Sequence, residues 1–539
     1  MKAFGKDFVA GKCGAVRRAL TAPSRKSLSL AMVLFLAACA SQDSSRITAY
    51  DDNRAQRVFT EGYEDISEIY IERVQIADLA TAGLDGLASI EPALSLDRED
   101  NLLTLYYNGV QAGQFEAPED RDVSAWGEVT ASVISVGRDK SDDLEDRSAE
   151  EVYETIFDGM LSELDEYSRY SGREAARENR ASRDGFGGIG IRIRIVEEGV
   201  LVQSVMEGTP AEASGLIAED LITEISGVSA AGLSQREAVR RLRGPVQSIV
   251  RLTIDRNEIS DPLSVKVSRA HIVPQTVTYE RKGNVAYIEV SSFNQDTTRS
   301  LEKKVALARA EMREDLHGFV IDLRGNPGGL LDQAVSVSDL FIDSGRIVST
   351  RGRHPDSHQF FDAGGSDITG GKPIAVLING NSASASEIVA AALQDSRRAI
   401  LIGSSSFGKG TVQTLLRLPN EGELTLTWAR FFSPAGYALH HRGVIPHLCT
   451  STSDADADQI LTELRQGQLR VDRKTIARIV DPNDSVAVES LRANCPSSEK
   501  SADLDVELAI ALLQENDLFA RTLRGSPNTA DLGLSLATE

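Results

Sequence analysis

The sequence predicts an α/β core that carries an inserted β-rich domain and is flanked by helical regions. Three observations predict it. Beyond about residue 271, nearly continuous apolar runs alternate with helical periodicity, the pattern of strands covered on both faces. Before that point, residues 185–269 are rich in glycine and short β-type runs. Both ends of the chain are charged, with apolar residues spaced three and four apart. At about 150 residues per domain, the 539 residues accommodate three or four domains.

Composition narrows the class. Hydrophobic residues make up 41% and charged residues 26%, as in soluble globular proteins. The net charge is -22, and no run of Lys and Arg forms a basic face, which argues against a nucleic-acid partner. No H-E-x-x-H or paired C-x-x-C motif is present, so neither a metal nor a cofactor is expected.

Residues 1–38 read as an export signal. Lys12, Arg17, Arg18, Arg25 and Lys26 precede the apolar run Leu28–Ala38, which is too short to span a bilayer. The run ends in Leu36-Ala37-Ala38-Cys39, which resembles a bacterial lipobox. That resemblance implies that Cys39 is lipidated and becomes the mature N-terminus, with Ser41–Arg46 as a tether. It implies a lipid anchor in the cell envelope, facing the periplasm. Ala40 after the cysteine would favour the outer membrane of a Gram-negative cell. The alternative is an ordinary signal peptide with an incidental cysteine. Cys13 would leave with the signal, so Cys449 and Cys495 remain. An oxidising compartment permits a disulfide between them, and two buried thiols are the alternative.

Residues 39–183 form the N-terminal helical region. Arg57–Leu84 and Ala149–Leu164 carry helical spacing, Leu102–Ala112 reads as a strand or buried turn, and the charged stretch Arg173–Arg183 reads as an exposed hinge. In the β-rich domain, 184–270, strands are expected at Ile191–Val196, Val200–Val205, Leu221–Ile225 and Ile249–Ile254, with a helix at Gln235–Leu242. In the core, 271–450, strands at Val285–Val290, Gly318–Leu323 and Pro373–Ile378 alternate with helices at Thr298–Arg313, Gly329–Phe341 and Ser384–Asp395. Further strands follow at Ile400–Ile402, Gly410–Leu416 and Leu424–Phe432. Residues 451–539 are helical and acidic, with Leu504–Leu513 the clearest amphipathic stretch.

The block 184–270 resembles a PDZ domain through GGIGI at Gly187–Ile191, LVQSV at Leu201–Val205, GTPAEASGL at Gly208–Leu216 and AEDLITEISG at Ala218–Gly227. PDZ domains add an extended peptide to a sheet edge. The resemblance implies that Gly188, Ile189, Gly190 and Ile191 form the carboxylate loop and receiving strand. Val239 and Leu242 would line the pocket for the last side chain. Glu219 and Gln247 depart from the pattern, standing where glycines are usual.

A serine hydroxyl needs a base to become a nucleophile. None of the seven histidines lies in a familiar triad context, and no G-x-S-x-G elbow is present. A lysine kept neutral by desolvation is the other option. Three motifs suit it: DLRGNPGG at Asp322–Gly329, NGNSASASEI at Asn379–Ile388 and SFGKGTVQ at Ser406–Gln413. In this order after a PDZ-like block, and with GMLSELDEYSRY at Gly159–Tyr170, they resemble the C-terminal processing peptidases, or tail-specific proteases. The resemblance covers roughly Leu161–Pro446 and implies a protease core with ClpP/crotonase-like β-α alternation.

It further implies Ser384 as nucleophile, Lys409 as general base and Gln413 as the residue that orients the lysine. The backbone N–H groups of Gly328 and Ala385 would form the oxyanion hole. Ser382 and Ser386 are the rival nucleophiles, better suited to capping and packing. Asp322 and Arg324 read as a structural pair, and Ser405 and Ser406 as turn residues. His447 departs from the family, which often has an aspartate after Pro446. The expected activity is a serine endopeptidase that captures an exposed C-terminus in the PDZ groove and cuts upstream, with an adaptor or homodimer as further partners. The alternative is a silent or gated PDZ scaffold anchored to the membrane.

Overall fold

The computed structural model describes residues 50–524, apart from 258, 453–454, 469–470, 472, 477 and 501–502. The signal segment and Cys39 lie outside the described residues. The chain divides after Asp51, and the unit beginning at Asp52 contains every element below.

The core is a sheet of six strands in the order Val277–Lys282, Val285–Val290, Gly318–Asp322, Ile374–Ile378, Ala399–Gly403 and Leu448–Cys449. The first pair is antiparallel and the other four pairs are parallel. Side chains alternate between the faces, as the pleat requires. Ile288, Phe319, Ile321, Val376 and Leu401 pack beneath the helices Thr297–Met312, Leu331–Asp339 and Ala385–Asp395. Val320, Ala375, Leu377, Ile400 and Ile402 pack against Leu508, Leu512, Leu513 and Phe519. The helices Ala457–Arg465, Asp503–Gln514 and Asn516–Arg524 therefore cover the second face. Burial of each such leucine stabilises the layer by about 1.5–3 kcal/mol.

A second sheet, in the order Gln359–Ala363, Gly345–Arg351, Glu423–Phe432 and Thr411–Arg417, leads directly into the site. Its strands Gly345–Arg351 and Gln359–Ala363 were not expected from the sequence. Arg169–Ser171, from the N-terminal region, also pairs with Glu423–Phe432.

That N-terminal region is built on the helices Asp52–Ile69, Ile76–Asp85, Val123–Lys140 and Ala149–Ser162, with a hairpin sheet of Leu94–Glu99, Leu102–Tyr107 and Val110–Glu116. The helical stretch expected over Arg57–Leu84 is two helices. The chain breaks where Ile71 N–H donates to Thr427 O at 2.8 Å and Arg353 donates to the carbonyls of Ser67 and Tyr70. Arg173–Arg183 is not a hinge but part of the helix Arg173–Asp184. Its small residues Ala176 and Ala181 are buried, and Arg183 grips Glu423 with two bonds of 2.9 and 2.8 Å. These tertiary ion pairs were invisible in the local charge pattern.

The β-rich domain is an antiparallel sheet in the order Leu263–Ser268, Ile249–Asp255, Leu221–Ile225, Gly199–Val205 and Ile191–Val196. Ile191–Val196 is its edge strand, and the helix Gln235–Leu242 packs over the same core. Glu219 and Gln247 adopt a left-handed backbone, at φ +69° and +70°, the region that favours glycine.

Candidate active site and peptide-binding edge

Three loops meet at the ends of the parallel strands. Residues Asp322–Gly329 leave the strand Gly318–Asp322, Asn379–Ser384 leave Ile374–Ile378, and Ser404–Lys409 leave Ala399–Gly403. Ser384 sits at the turn from strand into the helix Ala385–Asp395, with φ +55° and ψ −114°. A non-glycine residue in this region is strained, and such strain clusters at functional positions.

The three serines of Ser382-Ala383-Ser384-Ala385-Ser386 separate by what their hydroxyls do. Ser382 Oγ is buried, donates to Leu323 O at 2.8 Å and accepts from Asn379 N–H at 3.0 Å. Ser386 Oγ is buried and donates to Asn326 O at 2.9 Å. Ser384 is half-exposed; its hydroxyl faces Glu387 N–H across the capping turn and donates to no acceptor among the described residues.

Gly328 packs directly on this turn. A β-carbon there would lie 2.8 Å from Ser384 Cβ and 3.0 Å from Ala385 N, which only glycine avoids. The two expected oxyanion donors differ, however. Ala385 N–H, at the helix start, has no acceptor among the described residues, whereas Gly328 N–H donates to Asn326 Oδ1 at 2.8 Å. The Asn326 side chain closes the turn upon itself and occupies that donor.

Lys409 is half-buried in the loop before the strand Thr411–Arg417, and its Nζ stands 4.9 Å from the centre of the Tyr167 ring. Burial pushes the amine below the ordinary lysine value, and the positive charge of Arg169 pushes the same way. Gln413 does not bond the amine here. Its Nε2 donates to Thr411 Oγ1 at 2.8 Å and Thr427 Oγ1 at 3.3 Å, so the local strand register draws it away. A cavity of about 250 Å³ adjoins this side, lined by Asp165, Tyr167, Arg430 and the adjacent tilted rings of His440 and His441. Burial, His441 and Arg430 lower His440 to about 4, so it is neutral near pH 7.

Sequence reasoning missed Glu387. This carboxylate is fully buried at the third position of the helix Ala385–Asp395. Its Oε2 accepts from Ser384 N–H at 2.8 Å and Lys409 N–H at 2.9 Å. Its Oε1 accepts from Gly408 N–H at 2.7 Å and Ser406 Oγ at 2.6 Å. Burial raises its pKa, and these four bonds oppose the rise by favouring the charged form. The signal was a glutamate three residues after a helix-starting serine, a capping pattern. Tyr167 was present in the GMLSELDEYSRY phrase but carried no role there.

The remaining residues are structural. Arg324 pairs with Asp322 at 2.6 Å and with Asp505 at 3.1 Å, tying the first loop to the C-terminal layer. Ser406 also accepts from Val444 N–H at 2.7 Å, and Ser405 donates to Cys495 O at 2.6 Å. His447 accepts from Leu401 N–H at 2.9 Å through Nδ1, and burial lowers its pKa to about 3. Cys449 and Cys495 are joined by a disulfide.

In the β-rich domain, Gly188 lies in the short strand Phe186–Gly188 and pairs with Ala270. Ile189 is buried in the domain core, Gly190 turns at φ +87°, and Ile191 opens the edge strand. Leu242 is buried, while Val239 is half-buried and faces a cleft of about 700 Å³ beneath the helix Arg173–Asp184. Loop, edge strand and helix surround one domain core to which Leu242 belongs, and the cleft that Val239 faces is otherwise lined mostly by charged side chains, Arg177, Arg236 and Arg240 among them.

Comparisons with known proteins agree on two segments. Residues 284–450 match the family model of peptidase family S41, and residues 179–255 match that of the PDZ domain. A carboxy-terminal-processing protease of Bartonella bacilliformis is 43% identical over 301 residues, covering 56% of this chain and 69% of the relative. A probable CtpA-like serine protease of Staphylococcus aureus is 33% identical over 343 residues, covering 63% of this chain and 68% of the relative. A solved photosystem II D1 C-terminal processing protease aligns with TM-score 0.38 and 23% identity, covering 73% of this chain and 92% of that one.

Proposed function

We propose that this chain, which belongs to peptidase family S41 and to its carboxy-terminal-processing proteases, is a serine endopeptidase in which Ser384 is the nucleophile and Lys409 the general base. The observation that carries the reading is the fate of the hydroxyls. Of the three serines in the motif, only Ser384 has a hydroxyl proton that no acceptor among the described residues takes, and its backbone shares one buried carboxylate oxygen with that of Lys409.

Ser384 Oγ attacks the scissile carbonyl carbon while the neutral Lys409 amine takes its proton. The lysine then passes that proton to the leaving amine as the C–N bond breaks. Water attacks the acyl-enzyme ester while Lys409 accepts its proton, the acyl C–Oγ bond breaks as that proton passes to Ser384 Oγ, and the new carboxyl terminus departs. Burial and the charge of Arg169 favour the neutral amine this requires. The developing oxyanion falls beside the start of the helix Ala385–Asp395, where Ala385 N–H and the helix dipole favour negative charge. Gly328 N–H joins it by exchanging Asn326 Oδ1 for the oxyanion. Gln413 serves as orienter only after a rotation away from Thr411.

The PDZ domain selects the substrate. An exposed C-terminus adds as a strand to Ile191–Val196, its carboxylate meets the loop through Gly190, and its last apolar side chain lies toward Val239. The substrates are exported or envelope proteins, and the chain works from a lipid anchor at Cys39, facing the periplasm. The occupied Gly328 donor and the displaced Gln413 favour a second reading of this conformation, a gated form that peptide binding activates.

The test is cleavage of an unfolded reporter by the mature chain beside Ser384→Ala and Lys409→Ala, with the reporter ending in an apolar or a charged residue. The reading predicts cutting by wild type alone, faster with the apolar tail. Full activity in either variant would overturn it.

A further inference from the structure

The segment that follows the helix Ser485–Arg492 lies beyond the matched peptidase region, yet it bonds two of the three loops of the site directly and reaches the other through Asn379. We propose that Arg492–Glu499, clamped by the Cys449–Cys495 disulfide, is a positioning strap that holds the Ser384 and Lys409 loops in their working relation, with Arg492 as the residue that acts on the Lys409 loop. The proposal rests on the Ser384–Lys409 assignment above.

The bonds form a continuous set. On the Lys409 side, Arg492 donates to Ser406 O at 2.9 Å and to Arg442 O at 2.9 Å. Ser405 Oγ donates to Cys495 O at 2.6 Å, and Ser497 Oγ donates back to Ser405 O at 3.0 Å. Ser498 N–H donates to Ser404 Oγ at 3.0 Å. On the Ser384 side, Gly380 N–H donates to Ser498 O at 2.6 Å, and Asn379 Nδ2 donates to Glu499 O at 3.0 Å. Asn379 Oδ1 in turn accepts from Gly325 N–H at 2.9 Å, which reaches the third loop.

Each loop leaves a different strand, so nothing local fixes their mutual distance. Glu387 bridges two of them from inside, and the strap bridges them from outside. Most acceptors on the strap side are backbone carbonyls, which is why no side-chain motif announces it. The guanidinium of Arg492 suits the task because its planar fork reaches two carbonyls at once, which an ammonium does not match. It also places a cation within electrostatic reach of the buried Glu387 carboxylate.

The disulfide sets where the strap begins. Cys495 is joined to Cys449, which lies in the last strand of the parallel sheet, and both are buried. Forming the bond removes two protons and two electrons from the two thiols. A disulfide-bearing oxidant takes them and becomes two thiols. A chain whose cysteines stay reduced keeps Ser384 and Lys409 but lacks the clamp, so full activity develops only where thiols are oxidised.

The test uses the full chain in three variants: Arg492→Met, Cys449→Ala with Cys495→Ala, and the milder Ser405→Ala. Amide hydrogen exchange over residues 404–410 reads positioning without requiring activity, and kcat and KM on an unfolded reporter read its consequence. The strap predicts exchange faster by at least about tenfold in Arg492→Met and in the double variant. It predicts kcat lower by at least about tenfold with KM within about twofold, since positioning acts on the chemical step. Ser405→Ala moves both in the same direction by less, and it decides the matter if the larger changes prevent folding. Unchanged exchange, or faster exchange with kcat held within about twofold, overturns the proposal. If wild type does not cut, the exchange arm still judges the strap, and the failure belongs to the Ser384–Lys409 assignment.

Discussion

The backbone N–H groups of Ser384 and Lys409 donate to the same oxygen, Oε2 of Glu387, at 2.8 and 2.9 Å. Two residues 25 positions apart in the sequence, on loops from different strands, therefore share one acceptor in a fully buried carboxylate. Glu387 is expected to be a positioning residue. Glu387→Gln offers one acceptor oxygen instead of two, and Glu387→Ala offers none. Steady-state kinetics on an unfolded reporter should show kcat falling by about a hundredfold in Glu387→Ala with KM little changed. A variant that keeps wild-type kcat would show that the shared oxygen has no role in catalysis.

The hydroxyl pattern predicts different outcomes for neighbouring serines. Ser384→Ala should abolish cleavage while leaving the melting temperature near wild type, because its half-exposed hydroxyl donates to no acceptor among the described residues. Ser382→Ala should retain activity yet lose about 1–3 kcal/mol of stability, because Leu323 O and Asn379 N–H lose a buried partner. Paired melting and activity assays separate the two.

The pH profile should report Lys409. Its pKa lies below the ordinary lysine value through burial and the nearby Arg169 charge. Catalysis needs the neutral amine, so kcat/KM should rise with pH and reach its plateau below the pH at which a solvent-exposed lysine would lose its proton. Removing the cation in Arg169→Met stabilises the protonated amine, raises its pKa and moves the acid limb to higher pH. A limb that moves to lower pH, or stays in place, would count against Lys409 as the titrating base.

Acid stability should depend on His447, whose pKa is lowered to about 3 by burial. The unfolded chain binds this proton below its ordinary pKa of about 6.5, whereas the folded chain does not. The stabilisation is therefore present above that pH and is lost as pH falls toward 3, by on the order of a few kcal/mol. His447→Asn keeps an acceptor for Leu401 N–H but does not titrate, so its melting temperature should fall less steeply with acid.

Peptide capture should depend on Gly190. A side chain there would meet Thr209 at 2.3 Å, at a backbone φ of +87°. Gly190→Val should abolish binding of an apolar-tailed peptide by calorimetry while leaving cleavage of a tail-independent peptide within about threefold. Equal peptide affinity in the variant would move the binding edge elsewhere.

Local chemistry determined much of this protein from sequence alone. Alternating apolar runs and helical spacing gave Gly318–Asp322, Ile374–Ile378 and Ala385–Asp395 to within a residue or two, because pleat and helix periods are properties of the chain itself. The resemblance carried by three short motifs, rather than local periodicity, pointed to Ser384 and Lys409. Tertiary structure decided what those residues meet. Gln413 bonds Thr411 rather than Lys409, Gly328 N–H is held by Asn326, and Arg173–Asp184 becomes a helix because Glu423 awaits Arg183. Glu387 and the Arg492–Glu499 strap could not be read in advance, since each acts largely on backbone groups brought together from distant strands. A hydrogen bond to a main-chain carbonyl or N–H leaves no residue type behind to signal it, and only the packed sheet brings its two ends within 3 Å.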